Sequence, residues 1–360
     1  MATEPKNARA EKEIFDDLGE LCSSPGYVHV VAYLCMRDSM VRYSGEIEAK
    51  DLVPLFSSTH LVRTEISTLV GLMLKSEIGF GVPPPHVMQR YIDQTEALLE
   101  EIHHCLSRAW LIDFEPIKAA DKDFNPFTSG QALREPIFYG GESAYSFQYR
   151  DLSLKKYGKD DDWLKANKGF SIQTARDVIH AIGKLLEVKA VSAVENLKVV
   201  PPEQWTLLPG RLFTAGEVPE TAGLEAPVVE VILGTFSVQT SERNEEFRAL
   251  NDFNVANASP LLRTPDGNYM LFHLYSLVEA LYESPFYWMG MDKAYVNTAM
   301  RHRGEFTEEF SAERLVAVFG KENVHTNVDI FESKNVRVGE IDVLVVSEIA
   351  RLCCKLNLSA

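Results

Sequence analysis

The stretch Gly339-Glu340-Ile341-Asp342-Val343-Leu344-Val345-Val346 constrains this chain more than any other. It sets an acidic pair at the mouth of a run of β-branched and aliphatic residues, which reads as a fully buried strand. A buried strand cannot stand alone, so this part of the chain must form a sheet. A carboxylate that enters such a strand is held on a rigid element, where metal-dependent chemistry needs its ligand. Asp342 and Glu340 are therefore candidate metal ligands.

The residues before it supply the rest of a pattern. Arg303-Gly304 precedes Thr307, which is expected to be a helix N-cap, with Glu308 and Glu309 in the first turn, where the helix dipole favours acids. The helix from Glu308 to Phe319 then ends at Gly320, a suitable C′ residue. Val324 to Phe331 alternates as a strand does, and a loop with Lys334-Asn335 leads into the strand from Glu340 to Val346. The order is helix, strand, strand.

A chain of 360 residues exceeds what one hydrophobic core normally serves. The expected fold class is α+β: a mainly α-helical N-terminal region followed by an incomplete α/β core. Three segments are expected: a helical region over 1–110, a mixed and mostly helical region over 111–300, and the α/β part over 301–360. Helices are predicted over Tyr27 to Met40, Leu61 to Leu74, Val87 to Leu106, Ile172 to Leu186 and Leu271 to Leu281, the last ending near Phe286-Tyr287-Trp288. Residues 111–140, rich in Asp, Pro and Gly, read as an irregular connection.

Composition narrows the partners. The net charge of −16 disfavours a protein that coats nucleic acid through counterion release, although a local basic patch is compatible with it. No apolar run reaches membrane-spanning length, and the start MATEPKNARAEKEIFDD lacks the apolar core of a signal peptide. The five cysteines show neither zinc spacing nor a paired framework, which fits a reducing cytoplasm.

The helix, strand, strand order with acids on the helix and at the second strand's start resembles the PD-(D/E)XK nuclease fold, in its nuclease-related branch. The likeness covers roughly residues 303–346. It implies that Asp342 takes the metal-binding Asp role and that either Glu308 or Glu309 is the helix acid. It further implies Mg²⁺, a bacterial setting, and DNA as substrate, with RNA the second choice. The chemistry needs a hard cation held by carboxylates to polarise the phosphate and generate hydroxide, and a third-strand Lys to activate water.

That Lys is missing. The tail from Ser347 to Ala360 contains no Glu-x-Lys or Gln-x-Lys, and Lys355 follows two cysteines, Cys353 and Cys354. Codons started on the third base of the present ones can instead be read as GNRAIVLQAKSKR. Cys354-Lys355 gives only Gln or a stop in that frame. A frameshift after Val346 is thus expected, and with it an inactive chain.

Plainer readings stand beside the sharp ones. A non-catalytic interaction or regulatory protein with a nuclease-like remnant suits the acidic balance. A helical metal-binding protein built on Glu101 and His104, within Glu100-Glu101-Ile102-His103-His104 and with Glu65 added, is the weaker alternative. Arg63-Thr64-Glu65 is expected to form ion pairs within or between helices. The aromatics Tyr145 to Tyr149 and Phe286 to Trp288 are expected in the core, as are His29 and His273. None of the cysteines has a base that would make it a nucleophile.

Overall fold

A computed structural model describes residues 9–39, 50, 60–108, 125, 130–140, 144–218, 223–238, 243–346 and 351–354. Its helices are α1 (Glu11–Cys22), α2 (Tyr27–Ser39), α3 (Arg63–Met73), α4 (Pro85–Arg108), α5 (Gly130–Tyr139), α6 (Ser146–Tyr157), α7 (Asp161–Lys168), α8 (Ile172–Asn196), α9 (Ala226–Thr235), α10 (Val255–Ala258), α11 (Leu274–Gly290) and α12 (Val296–Phe319). Its strands are β1 (Leu212–Phe213), β2 (Ser237–Val238), β3 (Leu261–Arg263), β4 (Tyr269–Met270), β5 (Val324–Ser333), β6 (Val336–Val346) and β7 (Arg351–Cys354). The fold class is α+β. No helix among the described residues is long and apolar enough to cross a membrane.

Two compact units divide the chain, one from Met1–Gln148 with Thr174–Ala280, the other from Tyr149–Gln173 with Leu281–Ala360. In the first, α1 to α4 pack on one another. The reason is local: Ile14, Phe15, Leu18, Leu21 and Cys22 recur on one face of α1, and all are buried. Phe15 meets the Phe247 ring edge-on at 5.3 Å, so truncating it to Ala costs about 3–5 kcal/mol. At the start of α3 the buried Glu65 accepts the Val62 N–H at 2.9 Å and the Tyr139 hydroxyl at 3.1 Å. A small mixed sheet in the order β1-β4-β3-β2 completes the unit, parallel only between β2 and β3.

Helix boundaries follow the pattern for α2, α3 and α4, and depart from it elsewhere. The last part of the expected irregular connection is helical as α5, while residues 109–124 lie outside the described residues. Helix α8 runs ten residues past Leu186, to Asn196. Helix α11 continues to Gly290 through Pro285, so Phe286-Tyr287-Trp288 stands within the helix, not beyond its end.

In the second unit α12 packs against β5 and β6 of an antiparallel sheet ordered β5-β6-β7. The expected start of α12 is corrected by twelve residues: the helix begins at Val296, not Glu308, and Thr307 is interior. Its hydroxyl donates to the Arg303 carbonyl at 2.8 Å, which satisfies it without a cap. The end is as read from sequence, since Gly320 closes the helix at φ +83° with its N–H on the Val316 carbonyl. Lys334-Asn335 is the two-residue turn of the β5–β6 hairpin. Strand β7 adds a third member, pairing Val343 with Cys354 and Val346 with Arg351. Residue Lys355 lies outside the described residues.

Candidate functional site

Strand alternation decides what β6 can offer. Residues two apart share a face, so Glu340 and Asp342 lie together, and Val343 and Val345 lie on alternate sides from Asp342 and Leu344. Val343 and Val345 are 0% and 2% exposed, whereas Ile341, Asp342, Leu344 and Val346 are half-buried. The expectation of a strand buried throughout is therefore corrected: β6 is closed on one face only at Val343 and Val345, with Ile341 of that face half-buried, and is partly open on the other.

Helix α12 supplies the opposing acids, and its turn separates them. Glu305 and Glu309, four residues apart, take the Lys159 ammonium between them at 2.8 and 3.0 Å. Lys159 holds the Glu305 carboxyl below the usual range. Glu308 turns elsewhere. Burial, then the charges of Asp342, Glu340, Glu305 and Glu309, push its carboxyl above the usual range. Of the two candidate helix acids, Glu308 is the one electrostatically coupled to β6, and Glu309 is the one in an ion pair. Glu340 is bound by Arg337, which also reaches Asp329 at 2.7 Å.

The backbone beside Asp342 is unusual. Thr326 pairs with Val343 and Val328 with Ile341, so Asn327 stands across from Asp342. Asn327 has φ +53°, the only positive φ of a non-glycine among the described residues. Asn tolerates the left-handed region better than other side chains do, and such strain gathers at functional positions.

The segment that holds α12 in place was not legible in the sequence. Asp160 is 2% exposed and accepts a bond from His302 Nδ1 at 2.6 Å and from the Tyr295 hydroxyl at 2.8 Å. With Lys155 on Glu313 at 2.7 Å, residues 155–160 run antiparallel to α12 and are tied to it along its length. Nothing local to Lys155-Lys156 or Lys159-Asp160 records partners so far along the chain.

Carboxylates are the hard oxygen donors that Mg²⁺ takes. Glu308, Glu340 and Asp342 are near enough to oppose one another electrostatically, yet among the described residues no three His, Cys, Asp or Glu side chains converge as a group able to hold a metal. As placed, they are coupled acids and not a formed metal shell.

The other candidate residues have separate partners. Glu101 pairs with Arg9 at 3.3 Å, His104 with Glu100 at 3.9 Å, and Glu65 serves the α3 cap. Arg63 pairs with Glu279 at 2.9 Å. His29 is buried between the Thr206 hydroxyl at 2.7 Å and the Phe80 carbonyl at 3.0 Å, and His273 Nδ1 accepts the Tyr275 N–H at 3.2 Å. Burial pushes the Cys22 and Cys35 thiols up to about 12, which leaves them inert. The aromatic clusters are split, with Tyr149 buried but Tyr145, Phe147 and Tyr287 exposed, so core placement holds only in part. Comparison with known proteins returns no matching family model, no similar curated protein and no matching solved structure.

Proposed function

We propose that residues 303–346 are a nuclease-like module of the Mg²⁺-dependent PD-(D/E)XK type, with DNA as the parent substrate, and that this chain does not cleave it. The observation that supports the reading is the coupling of Glu308 to Asp342 and Glu340, a helix acid against the strand acids that the resemblance asks for. Asp342 and Glu308 are the pair that would face a phosphate-bound cation, with Glu340 beside them once released by Arg337. Asp342 and Glu308 would be the residues to hold a divalent ion, which would supply phosphate polarisation and a lower pKa for bound water. Glu309 is withdrawn to Lys159, so its role is to position α12.

Cleavage also needs a Lys to stabilise developing charge. No Glu-x-Lys or Gln-x-Lys follows Asp342 in the sequence. The chain therefore acts as a non-catalytic interaction protein, a role that its net charge of −16 suits better than generic DNA coating. A chain translated in the alternative frame after Val346 is the test of ancestry. It should nick plasmid DNA with Mg²⁺ and lose nicking on Asp342→Ala; nicking indifferent to that change removes Asp342 from the role.

A further inference from the structure

Within the first unit, a cavity of about 640 Å³ opens between the sheet and the segment that follows α3. Its apolar wall is Ile78, Phe80, Val238 and Leu262, the last two from neighbouring strands β2 and β3. Two guanidinium groups, those of Arg243 and Arg263, also line it, against one carboxylate, Glu77. Neither arginine has a carboxylate partner among the described residues. In a chain of net charge −16, a cavity lined by two such cations is a local exception.

Both walls are fixed. Arg243 donates one N–H to the Ser76 carbonyl at 2.7 Å, and Asn244 next to it donates to the Leu74 and Gly71 carbonyls. Those bonds leave the remaining Arg243 donors for a ligand. Arg263 lies over the Tyr269 ring at 5.2 Å, which limits where its guanidinium can go. The β3–β4 turn is locked as well: Thr264 accepts the Gly267 N–H, the Thr264 and Asn268 side chains both reach Asp266, and Gly267 sits at φ +84°. On the cavity's lining the Ser76 hydroxyl is buried without a hydrogen-bond partner. A buried, unmet hydroxyl costs free energy unless something supplies its bond.

We propose that this cavity binds a small amphiphilic anion, a carboxylate or phosphate monoester head on an apolar body. The head pairs with Arg243 and Arg263, whose planar donor forks match both oxyanions, and the body covers the half-buried Ile78 and Phe80. A cavity of this size and mixed lining is of the kind that holds small organic ligands. The site is separate from the Glu308–Asp342 pair and does not depend on the nuclease reading.

Isothermal titration of the full chain with decanoate and with decyl phosphate tests it, each against decanol and inorganic phosphate alone. At least one amphiphilic anion should bind at one site, and the better of the two identifies the head. Arg263→Ala should weaken that binding about tenfold, the loss of one charge-assisted contact, with Arg263→Lys falling between. Ile78→Trp, which narrows the cavity from its half-buried wall, should abolish it, and an unchanged circular dichroism spectrum would show each variant folded. Equal binding of decanol, binding indifferent to Arg263→Ala, or no binding of either anion would overturn the proposal.

Discussion

Burial and the Asp342 carboxylate together hold Glu308 above the usual carboxylate range, although one acid stands on a strand and the other on a helix. That relationship marks the place where α12 meets β6. It also turns a choice left open by adjacent residues, Glu308 or Glu309, into an electrostatic distinction. Asp342→Asn removes the opposing charge with the largest effect on Glu308 while keeping the shape. The Glu308 pKa should then fall, as followed by carboxyl carbon NMR. A Glu308 titration indifferent to the change would separate the two acids.

Asn327 tests the strain beside that pair. A side chain in the left-handed region costs roughly 1–2 kcal/mol, so Asn327→Val should destabilise by about that much. Asn327→Gly should be neutral or stabilising, because glycine takes that backbone without strain. Denaturant midpoints decide it, and equal loss in both variants would show that the side chain and not the backbone matters.

Lys156 carries a pH dependence of known sign. The residue is 6% exposed; its ammonium donates to the Tyr282 carbonyl at 2.9 Å and lies 3.7 Å from the Tyr282 ring centre, and burial lowers its pKa to about 8. Between about 8 and the ordinary value of 10.5 the unfolded chain binds a proton that the folded chain does not, so stability rises with pH across that window. The effect is roughly 3 kcal/mol in full. Lys156→Met should flatten the rise and leave stability at pH 7 equal or higher, since Tyr157 still satisfies the Tyr282 carbonyl at 2.6 Å. A slope unchanged in the variant would assign it to another group.

Much of this unit's order could be read from periodicity, because the hairpin and the end of α12 are local events. Val324 to Phe331, Lys334-Asn335 and Gly320 specify themselves through alternation, turn and positive φ. The start of α12 could not be placed, because Thr307 with two following acids has a capping composition wherever it stands, and only the preceding residues 296–306 decide that it is interior. Lys159 and Asp160 escaped for a different reason. They act on residues about 140 positions away, Lys159 on Glu305 and Glu309 and Asp160 on His302, and no local pattern records such a pairing.

Asp160 is the test of that pairing. Asp160→Ala leaves the Tyr295 hydroxyl and His302 Nδ1 without their acceptor, which should cost about 2–3 kcal/mol. Tyr295→Phe should cost less, since Asp160 keeps His302. Thermal unfolding of the two variants gives the order, and the reverse order would contradict the account.

The most direct measurement is nicking of supercoiled plasmid by the full chain with Mg²⁺, beside its Asp342→Ala variant. Neither chain should nick above background, since no Glu-x-Lys or Gln-x-Lys follows Asp342. Nicking by the parent chain that disappears in Asp342→Ala would contradict that expectation, and would make this chain an active nuclease.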